Sequence, residues 1–164
     1  MSAAALVVLL LTGCTQPSAP APTAVPRPAP PAAADLRSPK AAVRSYLAWT
    51  AYGYRIANSD VATPTMGPAE EVRVNSYVEM NKEQGRLIDQ QLVSMTFGQG
   101  SLEGTTATLP AHERWRYRYL SLADEKPQSA FYTATYDTTY TVVSAAPGRW
   151  VVDDVQAKAL GTVK

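Results

Sequence analysis

Two rows of side chains in the second half of the chain carry most of the chemistry this sequence can offer. From position 112 onward, His112, Arg114, Arg116 and Arg118 alternate with Trp115, Tyr117 and Tyr119. On a strand successive side chains point to opposite faces, so this alternation predicts one basic face and one aromatic face. Three guanidiniums spaced about 7 Å apart could hold a carboxylate, a phosphate or an anionic glycan. The alternative is a solvated outer face whose charges pair across strands with acids such as Asp137 and Asp153. The aromatic face is either core beneath helices or a ligand shelf. Tyr132, Tyr136 and Tyr140 form another same-face row with Ala134 and Val142. Around a cavity, such tyrosines would give apolar walls with polar tips, the usual make-up of a small-molecule pocket.

Catalysis by proton transfer would need a titratable group positioned inside that pocket. Asp153 and Asp154 are adjacent, so on a strand they diverge and cannot act as a dyad. His112 stands near Pro110, a natural bend site, where an exposed or capping role is expected. Gly98, Gly100 and Gly104 miss the G-x-G-x-x-G spacing because position 103 is Glu, and a hairpin turn accounts for them. No Walker loop, H-E-x-x-H or G-x-S-x-G occurs. With one His and one Cys, multi-histidine centres, cysteine-rich metal sites and an internal disulfide are excluded. The sequence therefore offers no catalytic residue and calls for no cofactor or metal. An enzyme is left unsupported.

The single thiol has chemistry of its own. Residues 3–11 are wholly apolar, too short a run to span a bilayer but suited to a secretory signal. The quartet that follows, Leu11-Thr12-Gly13-Cys14, resembles a bacterial lipobox, in which the cysteine becomes the lipidated first residue; a buried core thiol is the alternative. Residues 1–13 are thus expected to be a signal peptide and Cys14 a lipid anchor. Residues 14–35 are read as the lipidated Cys and a linker: between Thr15 and Asp35 there are 7 Pro and 7 Ala. In polyproline II geometry this tract would reach up to about 65 Å. It serves as a spacer, or as a Pro-rich ligand for a partner's groove.

Residues 36–164 must supply the body that positions these side chains, and they are numerous enough for a core without staples. Ser38-Pro39 is a helix start, and apolar residues at helical spacing predict a helix over residues 39–58. Gly67-Pro68 opens a second helix that Gly85 stops, with 59–66 a loop between them. After Gly85 the period changes to 2, predicting strands over 87–97, 105–120, 130–144 and 149–155, with a bulge or bend at Pro110. Helices followed by a long antiparallel meander make the fold α+β, two N-terminal helices packed on a strongly curved, cone-like antiparallel sheet. The formal net charge of +1 provides no field for nucleic acid, which is not an expected partner.

This order of elements, with Glu113-Arg114-Trp115 before the Tyr-rich segment 136–143 and the closing segment 148–155, resembles the nuclear-transport-factor-2-like (SnoaL-type) cone superfamily. Within it the chain is most similar to IMS-like domains of the chloroplast-division-protein type, here in a bacterial lipoprotein. The resemblance implies isomerases, cyclases or non-catalytic binding modules and does not choose among them. Two functions are carried forward. One is a non-catalytic binding or protein-interaction module held at the cell envelope by Cys14, with a protein partner or a second copy of itself. The other is an isomerase- or cyclase-type enzyme. An interior filled by Trp115, Tyr117, Tyr136 and Trp150 would favour the first, and an open cavity with an inward carboxylate the second.

Overall fold

The computed structural model describes residues 22–163. The signal-peptide and Cys14 expectations lie outside the described residues. Helix α1 (Pro39–Ile56) starts where Ser38 turns extended and its Oγ accepts the Ala41 N–H at 3.3 Å; Pro39, with no N–H to lose, fills the first turn. It stops at Ala57, which adopts the left-handed conformation (φ 53°) and donates its N–H to the Gly53 carbonyl. The segment expected as loop contains a short 3-10 helix (Asp60–Thr65), closed by the Ala62 N–H to the Ser59 carbonyl and by the Thr65 hydroxyl to the Ala62 carbonyl. Helix α2 (Pro68–Glu83) has no side-chain cap. Its N-terminus is tied to the sheet instead, by the Gly67 N–H to the Val152 carbonyl at 2.7 Å.

Five strands follow: β1 (Arg86–Phe97), β2 (Ser101–Glu103), β3 (Thr106–Ser121), β4 (Tyr132–Ala146) and β5 (Arg149–Val163). All pair antiparallel in the order β1-β3-β4-β5, with β2 also on β3, and the sheet is not closed into a barrel. The expected α+β fold is therefore present, helices on one face of an antiparallel sheet. Register shifts in β1 and at three places between β4 and β5 supply the bends that long strands need. None lies at Pro110, which pairs in register with Thr139. Pro110, lacking an N–H, sits where the neighbour of β3 changes from β1 to β2, and its carbonyl accepts the Gly98 N–H. β5 runs eight residues past the expected end at Val155. Its last part is an exposed edge, so no apolar alternation marks it in the sequence.

The core lies between α1 and the sheet. Ala42, Val43, Tyr46 and Leu47 of α1 meet Leu109, Trp115, Tyr140, Val142 and Val152, with Val74 joining from α2. The described part of the Pro/Ala tract is not a free spacer. The Val25 N–H donates to the Glu125 carbonyl at 3.0 Å, and the Glu125 carboxylate binds both Arg27 and the buried Arg55. Further along, Asp35 and Leu36 bond Ser45 and Trp150.

Candidate functional site

The burial of β3 alternates over residues 107–115, and its odd-numbered residues face the helices. Ala107, Leu109 and Ala111 build core at one end, while Glu113, Trp115 and Tyr117 continue the same row toward a cavity of about 320 Å³. Tyr136, Thr138 and Tyr140 of β4 add a second wall, Tyr46, Thr50 and Tyr54 of α1 the roof, and Tyr77 of α2 one rim. Trp115 and Tyr117 of one row and Tyr136 and Tyr140 of the other line this hollow, whereas Tyr119 and Tyr132 do not. Trp150 is not among its lining residues.

One residue in this wall carries a carboxyl group, and it is fully inside. Glu113 is 3 % exposed and accepts two hydrogen bonds, from the Trp115 indole at 2.7 Å and from the Tyr140 hydroxyl. Behind Tyr46 lies a second acid: Glu70, 2 % exposed, accepts from the Tyr46 hydroxyl and pairs with Arg73. Burial raises Glu70 above the usual carboxyl range, against the pull of Tyr46 and Arg73. Tyr46 and Tyr140 meet edge to face, with ring centroids 6.4 Å apart, so two phenol–carboxyl pairs stand side by side. Burial also pushes the phenols of Tyr46, Tyr54, Tyr77, Tyr117, Tyr136 and Tyr140 upward, which keeps them neutral donors at physiological pH.

Glu70, Thr50 and Thr138 are not among the site residues expected from sequence, and Glu113 entered there only as part of the Glu113-Arg114-Trp115 segment. For Glu113 the information was present, because it shares parity with Trp115 and Tyr117 on an alternating strand. Glu70 lies in the first turn of α2, where an acidic residue is favoured by the helix dipole alone and so signals no site.

The remaining residues fall outside the cavity. Tyr132 stacks on Tyr117 (centroids 5.4 Å, planes 26° apart), and Tyr119 meets Tyr117 edge-on while Arg86 lies 4.0 Å above its ring. Both pack beside Tyr117 on the same face of the sheet. On the opposite face Arg116 and Arg118 lie over the Phe131 ring at 3.6 and 4.3 Å, and Arg118 also pairs with Asp89 at 2.8 Å. Arg114 borders a shallow surface with Thr133, Thr135 and Leu160. The basic stripe is consequently split by local partners instead of converging on one anion. Asp137 pairs with His112 at 2.9 Å, and Asp153 lies against Gly67, away from the stripe. A larger concavity of about 670 Å³ surrounds His112 and Asp137, but both side chains are more than half exposed (58 % and 59 %), so water screens them. Among the described residues no group of three or more His, Cys, Asp or Glu is placed to hold a metal ion, and no helix is long and apolar enough to cross a membrane.

No family model matches the chain, and no curated protein matches it. Among solved structures it is similar to the intermembrane space region of the chloroplast protein ARC6, with a TM-score of 0.54 and 14 % identity over 71 % of this chain and 94 % of that one. At that identity the similarity is one of fold.

Proposed function

We propose that this protein is a non-catalytic binding module of the bacterial cell envelope, anchored outside the cytoplasm by a lipid on Cys14, which captures its ligand or a partner's side chain in the cavity between α1 and the sheet. The observation that carries the reading is the state of Glu113: inside a hollow ringed by aromatic side chains, both its oxygens already accept hydrogen bonds from the protein. Each carboxylate oxygen keeps a second lone pair, so Glu113 can still receive a donor from a bound ligand. Its two protein donors hold it in one orientation, as a recognition group is held. The fold similarity to an intermembrane space region is consistent with an interaction module outside a cytoplasmic compartment.

The isomerase reading keeps one observation in its favour, an inward carboxylate in an open cavity. Incubating the protein with any compound found to bind separates the two. Recovery of that compound unchanged supports a binding module; conversion that Glu113→Gln abolishes establishes an enzyme. The anchor is tested separately. Cys14→Ser should move the protein from the membrane to the soluble fraction, and unchanged fractionation would refute lipidation.

A further inference from the structure

We infer that the cavity between α1 and the sheet is a site for an alkylammonium group, either a free amine or the end of a lysine side chain. The inference deepens the binding reading and rests on it.

Two features of the wall favour a cation, and a third marks the cavity as one that a bound group completes. None of the lining residues is Lys, Arg or His, and the one acidic residue among them, Glu113, is almost fully buried. An anion entering would meet a negative charge without a compensating cation, whereas a cation would find its counter-charge in place. Second, the wall is built of electron-rich rings: Tyr54, Tyr77, Trp115, Tyr117 and Tyr136. Aromatic faces attract ammonium ions, and several such rings around one space form the cage by which cations are selected over neutral isosteres. This protein uses the same contact elsewhere, with Lys40 and Arg44 both near the Phe97 ring, at 5.5 and 5.4 Å.

The third feature is independent of charge. Thr50 and Thr138 line the cavity from opposite sides, one on α1 and one on β4, and are 4 % and 3 % exposed. Neither hydroxyl oxygen has a hydrogen-bond partner in the protein. Buried polar atoms are almost always satisfied; both oxygens are shielded from the cavity as the side chains stand, so a bound group supplies the missing bond once the threonine turns its hydroxyl inward. A hydroxyl both donates and accepts, so Thr50 and Thr138 would serve an ammonium or an anion alike; Glu113 is the group that receives an ammonium N–H and offers nothing to a carboxylate or phosphate. The phenol hydroxyls that might have received an anion are partly committed already, Tyr140 to Glu113 and Tyr46 to Glu70. A space of about 320 Å³ is at the small end of ligand sites, suited to a short alkyl amine.

The test is an NMR titration of the full chain carrying Cys14→Ser, following the Trp115 indole N–H, which points at Glu113. Butylammonium, 1-butanol and butyrate are the probes, one shape with three charges. Butylammonium is expected to bind at least tenfold more tightly than 1-butanol, with no saturable shift from butyrate. Thr138→Val and Thr50→Val should weaken butylammonium three- to tenfold without lowering the thermal midpoint, since each removes a hydroxyl that bonds nothing in the folded protein. Glu113→Gln should abolish the preference for the cation; should that variant fail to fold, the two valine variants decide the matter. Equal binding of 1-butanol would overturn the cation assignment while leaving a binding cavity in place. Tighter butyrate, or no shift from any probe, would also overturn it. Adding putrescine and Nα-acetyl-lysine N-methylamide then tells the sources apart: preference for the first assigns a free amine, for the second a partner's lysine.

Discussion

The decisive residue is Glu113, and its position follows from parity alone: on β3 it stands two residues before Trp115 and faces the same way. What parity cannot supply is its partner on β4, because Tyr140 reaches it only through the pairing of the two strands. Tyr140→Phe should therefore destabilise the fold by about 1–3 kcal/mol, the cost of withdrawing a donor from a buried acceptor, measured by urea unfolding. Glu125 makes a second prediction. Its bonds to Arg27 and Arg55 hold its carboxyl below the usual 4.5. The ionised form is the one favoured by folding, so the stabilisation is present above pH 4.5 and is lost as pH falls through the lower folded value. Glu125→Gln should accordingly unfold at a lower temperature than the parent at pH 7. The two melting curves should converge on acidification below pH 4.5; a gap that persists there would show that the pairing is not what Glu125 contributes.

At the scale of elements, the helix starts and the change of period were readable because Ser38-Pro39, Gly67-Pro68 and the alternation of β3 are local signals. The 3-10 turn at 60–65 and the outer half of β5 were not. One is stabilised by backbone bonds that leave no apolar pattern; the other owes its extension to pairing with β4, while its own side chains face solvent. The helix roof depends on a close approach that sequence does not announce. A Cβ on Gly53 would lie 2.8 Å from the Asn58 carbonyl oxygen, a backbone atom held by the turn that ends α1. Alanine in a helix ordinarily gains 0.5–1 kcal/mol over glycine, roughly. Here the clash decides the sign, and Gly53→Ala should cost about 1–3 kcal/mol, as overpacking does. Thermal or urea unfolding that finds this variant more stable would contradict the packing of α1 against the turn.

For the whole molecule, the linker and the body are less separate than composition implied. Pro and Ala predict an extended chain, but composition could not show that Val25 and Arg27 dock on Glu125 beside the buried Arg55. If Cys14 carries the proposed lipid, 11 steps separate it from Val25, and the tether would span at most about 34 Å until that latch opens. Arg55→Ala should lengthen it, raising the body above a supported bilayer as measured by neutron reflectometry; an unchanged height would mean that the latch does not limit reach. Self-association along the exposed edge of β5 is the companion proposal, and a monomer in light scattering at high concentration would remove it. Above all, the account holds that the space under α1 is a recognition site. The direct measurement is a fragment screen by NMR on the full chain with Cys14→Ser, reading the indole N–H signals of Trp49, Trp115 and Trp150. The account predicts saturable shifts at Trp115, with Trp49 and Trp150 largely unmoved. Fragments that bind while leaving Trp115 unperturbed would place recognition elsewhere and contradict it.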